Sequence, residues 1–209
     1  MNDLKKKRIK TILKYTWPFY IISAVLIGFG LHFIFGITHK TPVYQTLTVF
    51  ISGEDKDDKQ LKKDLLESYK DNELKTVSSI YASVGEANYY RKLSVLGYNS
   101  ADVMILPTSI LENLNASAFA LDITDGLYQS YFKDFTTYKQ NDVIYGIEID
   151  KEKTNKYFTL PSETCYMVLG GASKNTGTYS SDGIKEHDNA LRLVKDWGKW
   201  CLEEKLKNK

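Results

Sequence analysis

The sequence has few of the residues on which metal and nucleophilic chemistry depend. Its 209 residues include three histidines and two cysteines, and His32 and His39 lie in or beside a long apolar run. There is no G-x-S-x-G, HExxH or P-loop pattern, and no histidine stands beside a candidate nucleophile. These absences predict a protein that is not an enzyme and uses no cofactor or metal.

Charge is missing from residues 16–38, which contain no Asp, Glu, Lys or Arg. A helix needs about 20 apolar residues to cross a bilayer, so we predict a transmembrane helix here. Trp17 and Tyr20 fall near its start, where aromatic rings favour the headgroup layer. Residues 1–15 form a basic tail that should stay in the cytoplasm. The prediction is a single-pass cell-membrane protein with its C-terminal domain outside.

A cleaved signal peptide is the alternative interpretation of this segment. Its apolar region would span about 7–15 residues and end at a small-residue cleavage site. The run here is longer, and its end, FGITHKTP, shows no A-x-A pattern. No cysteine near that boundary could carry a lipid. The length favours an uncleaved anchor.

The net charge of +2 is unevenly distributed. Residues 1–40 contain seven basic residues and one acidic residue, which leaves the rest of the chain mildly acidic. Proteins that bind nucleic acid present a basic surface to its phosphates, so we predict no nucleic-acid partner. The basic tail is better explained as a topology signal beside the membrane.

The two cysteines, Cys165 and Cys201, both fall in the external part. A disulfide is chemically permitted there. However, Cys165 belongs to an apolar strand pattern and Cys201 to a helical one, so two separate buried thiols are equally compatible with the sequence. Neither lies in a CxxC context.

The external part alternates strand and helix patterns. Residues 39–45 read as a linker, and residues 46–209 as one domain. Continuously apolar strands separated by helices predict an α/β fold with a mostly parallel sheet and helices on both faces. The predicted strands are 46–52, 74–84, 101–106, 142–149 and 163–171, and the predicted helices follow Gly53 and cover 86–99, 108–114, 127–138 and 184–206.

In order along the chain, several segments resemble the extracytoplasmic solute-binding proteins of ABC transporters, which have the type 2 periplasmic-binding-protein fold. The segments are TLTVFISG, SADVMILPTSILENL, AFALDIT, DVIYGIEID, ASKNTG and KDWGKWCLEE. The resemblance implies a domain that recognises a small solute, such as a sugar, beside an ABC importer or a sensor. Family members usually have two lobes, whereas residues 145–173 are too few to build a second one. We therefore expect a single lobe, without closure between lobes.

The candidate ligand contacts come from the rule that ligands of open α/β sheets bind beyond the carboxyl ends of the strands. Tyr145 is added through the resemblance, because aromatic rings in such clefts stack on sugars. The alternative is that the hydroxyls cap a helix and the glycines permit turns. The candidates are Ser52, Gly53, Glu54, Ser83, Gly85, Thr108, Ser109 and Tyr145.

The sequence is compatible with two functions. The first is a membrane-anchored domain that binds a small solute. The second is an interaction module that has lost ligand capture and serves the assembly of a membrane complex.

Overall fold

The computed structural model describes residues 3–38, 41–180 and 183–199, and the chain forms two compact units, Met1–Thr41 and Pro42–Lys209. The first unit contains the 36-residue helix α1 (Asp3–Thr38). Within it, Lys14–Phe33 is long and apolar enough to be a membrane span or a signal sequence. A helix at residues 16–38 is thus confirmed, and it extends back through the basic tail.

The second unit is built from short strands and helices. Its described strands are β1 (Thr46–Ile51), β2 (Glu54–Asp55), β3 (Thr76–Tyr81), β4 (Val103–Pro107), β5 (Thr137–Gln140), β6 (Val143–Glu148), β7 (Phe158–Thr159) and β8 (Cys165–Leu169). Its described α-helices are α2 (Asp58–Ser68), α3 (Tyr89–Lys92), α4 (Thr108–Glu112), α5 (Lys151–Thr154) and α6 (Asn189–Trp197).

Six of these strands form one mixed sheet in the order β3-β1-β4-β8-β6-β5. The strand β1 is parallel to both β3 and β4, as predicted. The other three pairings are antiparallel, so the prediction of a mostly parallel sheet holds only for its first half. The strands β2 and β7 form a separate antiparallel pair.

Two local features produce the antiparallel half. Asn141 and Asp142 join β5 to β6 with positive φ angles of 52° and 65°, which suit a tight two-residue hairpin. After β6 the chain leaves the sheet, makes a short connection and re-enters as β8 at the end of the sheet where β6 finishes. A strand that begins where the previous strand finished must run antiparallel to it.

Helices cover both faces of the sheet, as predicted. On one face, Leu61 and Leu65 of α2 and Leu191 and Val194 of α6 belong to the same buried cluster as Val49 of β1. On the other face, the cluster includes Tyr89 and Leu93, Ile110 and Leu111 of α4, and Met104 of β4. The sheet therefore lies between two apolar layers.

Two predicted helices differ from the structure. Residues 86–99 form α3 and then the π-helical turn Leu93–Tyr98. Residues 127–138 form only the short π-helical segment Tyr128–Phe132, and β5 takes the end of the predicted helix. Threonine and tyrosine favour strands at Thr137 and Tyr138, and pairing with β6 decides the outcome.

The segment 151–162, which lies outside the predicted strands and helices, contains α5 and β7. The last helix, predicted over 184–206, is described as α6 up to Trp197, and residues 200–206 lie outside the described part of the chain.

Candidate functional site

The predicted ligand contacts that follow strands do lie at one end of the sheet, where the parallel strands finish. Because β1, β3 and β4 are parallel, Ser52, Ser83 and Thr108 follow strand ends on the same side. The strand β6 also finishes at this end of the sheet, since Glu148 pairs with Tyr166 near the start of β8. We use the name strand-tip residues for Ser52, Gly53, Glu54, Ser83, Gly85, Thr108 and Ser109.

Tyr145 lies apart from the strand-tip residues. It belongs to β6, and the next residue, Gly146, pairs with Val168 inside the sheet. Its side chain is 7% exposed and packs in the same cluster as Phe50 and Met104. The ring is a core residue in this structure, with no open face on which a sugar could stack.

Ser52 is fully buried and bonded to a neighbouring tyrosine. Its Oγ lies 2.6 Å from the hydroxyl of Tyr89, and its backbone N–H donates to the carbonyl of Ile105 at 3.0 Å. Burial raises the pKa of Tyr89 to about 12, so its hydroxyl stays protonated. The Ser52 hydroxyl therefore serves the core rather than the surface.

Gly53 is required by a close approach of the backbone. A Cβ atom added there would lie 2.2 Å from the carbonyl oxygen of Thr159. The neighbouring Glu54 begins β2 and pairs with Thr159 in β7. Gly53 thus allows the β2–β7 pair to close over the end of β1, and the Glu54 side chain remains exposed.

Thr108 and Ser109 are both engaged by the segment that precedes β8. The N–H and Oγ1 of Thr108 each donate to the carbonyl of Thr164 at 3.0 Å. Ser109 donates to the carboxylate of Glu163 through its N–H at 2.9 Å and its Oγ at 2.7 Å. The alternative that the hydroxyls of Thr108 and Ser109 cap α4 is wrong, because Glu163 supplies the acceptor at the start of this helix.

Ser83 and Gly85 lie in the turn between β3 and α3. The N–H of Ser83 donates to Oε1 of Glu86 at 3.0 Å, and Glu86 pairs with Lys92 at 2.6 Å. Gly85 is exposed and has open space where a side chain would project. This turn is the part of the predicted site with the most accessible surface.

At the same end of the sheet, where β6 finishes, the structure has a polar cleft that was not predicted from the sequence. The cleft has a volume of about 570 Å³, within the usual range for small-molecule sites. It is lined by the end of β6, by Asp150 and the first residues of α5, by Ser162 and Thr164, and by Lys199. We use the name cleft for this site.

The charged groups of the cleft are held by defined contacts. The ammonium group of Lys151 donates to the carbonyls of Pro161 at 2.6 Å and Ser162 at 3.0 Å, and also to that of Glu163. Lys199 lies 3.6 Å from the carboxylate of Glu148. These contacts fix the walls of the cleft, and its carboxylates and hydroxyls can accept hydrogen bonds from a polar ligand.

The carboxylate of Asp150 orients the start of α5. Its Oδ1 accepts from the backbone N–H groups of Glu152 at 3.1 Å and Lys153 at 3.3 Å. Within the part of the chain that the structure describes, no group of three or more His, Cys, Asp or Glu residues is arranged to hold a metal ion.

Cys165 is buried, and its Sγ donates to the carbonyl of Glu163 at 3.5 Å. Burial raises the pKa of its thiol to about 11, so it stays protonated at neutral pH. Cys201 lies outside the described residues, and the pairing of the two cysteines stays a prediction.

The residues that sequence reasoning missed are Glu148, Lys151, Glu163 and Lys199. The strand-end rule that selects residues after β1, β3 and β4 also selects Glu148 and Asp150 at the end of β6. Nothing in the sequence pattern indicated that residues 161–164 fold back over α4.

Comparison with known proteins gives little to add to this geometry. No family model matches the chain, and no curated protein matches it. Among solved structures, the crystal structure of Tp0737 from Treponema pallidum is similar at 11% identity with a TM-score of 0.30. The alignment covers 53% of this chain and 31% of Tp0737. A likeness at that level carries no conclusion about function.

Proposed function

We propose that the chain is a single-pass membrane protein whose extracytoplasmic α/β domain binds a small polar solute in the cleft. The observation that carries the proposal is the cleft, which has a volume of about 570 Å³. It lies at the end of the sheet where β1, β4 and β6 finish. Open α/β sheets bind ligands beyond the carboxyl ends of their strands. The sequence resemblance to solute-binding proteins of ABC importers supports the same function.

The proposed topology places the N-terminus in the cytoplasm. Six basic residues precede the apolar part of α1, and the basic side of a membrane span normally stays inside. The solute would be delivered to an ABC permease or reported to a sensor in the same membrane. Tethering keeps the domain at high effective concentration near such a partner.

A second function is favoured by the contacts of Ser52, Thr108 and Ser109. All three hydroxyls bond within the domain, so they offer little to a ligand. That arrangement fits an interaction module in a membrane complex, which is the alternative. The two functions differ in whether the cleft binds a solute.

The test is a thermal-shift screen of the full chain in detergent micelles against sugars, oligosaccharides, amino acids, peptides and amines. A ligand that binds only the folded state adds about 2.7 kcal/mol of stability at a hundredfold excess over its dissociation constant. We expect one chemical class to raise the melting temperature. If no compound does so, the solute-binding proposal fails and the interaction module remains.

Variants of the cleft locate the binding site. Glu152→Gln changes an exposed carboxylate of the cleft, and we expect it to weaken the shift caused by the active compound. The matched control is Glu67→Gln, on the exposed face of α2. Equal shifts in both variants and the unmodified chain would argue against the cleft.

A further inference from the structure

Three buried side-chain amides lie near the start of β1. Gln45 is 4% exposed, and Asn175 and Asn189 are fully buried. The Nδ2 of Asn175 donates to the carbonyl of Thr46 at 2.9 Å, and the Nδ2 of Asn189 donates to that of Tyr44 at 3.4 Å. The two asparagines therefore bind the backbone on either side of Gln45. We use the name amide site for Gln45, Asn175 and Asn189.

The nitrogen ends of all three amides are accounted for. Besides the two asparagines, Nε2 of Gln45 donates to Oε2 of Glu73 at 2.9 Å. Carbonyl and carboxylate oxygens only accept hydrogen bonds, so each contact fixes the orientation of its amide. The oxygens must therefore occupy the opposite ends of the three groups.

Those three oxygens are buried acceptors that lack a hydrogen-bond partner among the described residues. They are Oε1 of Gln45, Oδ1 of Asn175 and Oδ1 of Asn189. Buried polar groups are almost always hydrogen-bonded to protein or to ordered water. Three acceptors from one small region call for a donor that the side chains there do not supply.

The charge of the surroundings selects the kind of donor. The three amides are neutral, and the two neighbouring carboxylates are engaged. Glu73 accepts from Gln45, and the buried Asp102 accepts from the N–H of Thr48 at 2.8 Å and from Oγ of Ser173 at 2.6 Å. A buried cation would need compensating charge, whereas water needs only acceptors and space. We propose that internal water occupies the amide site and donates to these oxygens.

The position of the amide site gives the water a structural role. Gln45 precedes β1, Asn175 lies in the segment after β8, and Asn189 begins α6. Bridging water would join the entry of the chain into the sheet to two segments that are 130 or more residues later in the sequence. Asn189 and Asn175 are themselves linked, because the N–H of Ala190 donates to the carbonyl of Asn175 at 2.9 Å.

The test uses Gln45→Met in the full chain in detergent micelles, made in a Glu73→Ala background. Because Glu73 is exposed, its change to alanine lets solvent accept from Nε2, and the further change then tests chiefly the contact of Oε1. If water donates to Oε1, the substitution removes a hydrogen bond, and we expect the melting temperature to fall by about 2–4 °C. An unchanged or higher melting temperature would show that the oxygen was dry, and the proposal would be wrong.

Two further measurements separate water from a metal ion. Melting temperatures in sodium, potassium, calcium and tetramethylammonium chlorides at equal ionic strength should agree, and stabilisation by one metal alone would replace water with that metal. A high-resolution structure should show density within hydrogen-bond distance of Oε1. Absence of such density in a well-ordered map would also overturn the proposal.

Discussion

Two glycines that follow strands at the same end of the sheet have different roles. A side chain at Gly53 would collide with the backbone of Thr159, whereas a side chain at Gly85 would project into open space. Both positions were selected from the sequence for the same reason, that each follows a strand. The contacts that distinguish them come from β7, which lies more than 70 residues beyond Gly85 in the chain.

We expect Gly53→Ala to lower the free energy of unfolding by about 1–3 kcal/mol, because the backbone must shift to relieve overpacking. Gly85→Ala is the matched control, and its effect should stay within about 0.5 kcal/mol. Urea unfolding of both variants provides the measurement. Equal stability of the two would contradict the close approach of Thr159.

Asp102 predicts a dependence of stability on pH. Burial raises the pKa of its carboxyl above the ordinary value of 3.8, despite the opposing hydrogen bonds from Ser173 and Thr48. Folding therefore favours the protonated form, and this contribution is present below pH 3.8 and lost as the pH rises through the folded-state pKa. Asp102→Asn cannot ionise.

The free energy of unfolding of Asp102→Asn, relative to the unmodified chain, should therefore increase as the pH rises from about 4 to 7. Urea unfolding at each pH gives this difference. A difference that stays constant over the range would show that Asp102 ionises at its ordinary pKa.

At the scale of elements, the helix α4 depends on a residue far along the chain. Glu163 accepts two hydrogen bonds from Ser109 at the start of this short helix. We expect Glu163→Ala to cost about 0.5–2 kcal/mol, the usual range for a lost cap. Unfolding experiments should show a much smaller effect for Glu112→Ala, which changes an exposed carboxylate of the same helix.

A double-mutant cycle with Ser109→Ala tests the contact directly. Because Glu163 and Ser109 share a hydrogen bond, their effects should be less than additive. Full additivity would mean that the two residues do not interact in solution.

Some elements could be predicted from the sequence, and others could not. The apolar runs of β1 and β4 and the apolar stripe of α2 predicted those elements, because burial against a core leaves such patterns in the sequence. The pattern could not give the direction of β8, which is set by the short excursion before it. Nor could it show that Glu163 and Thr164 would bind the hydroxyls of Ser109 and Thr108, because that pairing depends on tertiary structure.

At the scale of the whole molecule, the predicted topology can be tested with right-side-out membrane vesicles. If α1 is an uncleaved anchor, the protein should remain in the membrane after carbonate extraction. External protease should remove the domain 46–209 and leave an N-terminal tag protected. A soluble product that begins after the apolar segment would instead establish cleavage, and a digested tag would establish the opposite orientation.

The position of β8 has a consequence for how the domain folds. This strand fills the centre of the sheet between β4 and β6, although it comes after both in the sequence. Until residues 165–169 are available for pairing, β4 and β6 each present an unpaired, apolar edge, and such edges promote aggregation. If the domain is exported as proposed, a pause in translocation before residue 165 should therefore leave a species that requires a chaperone.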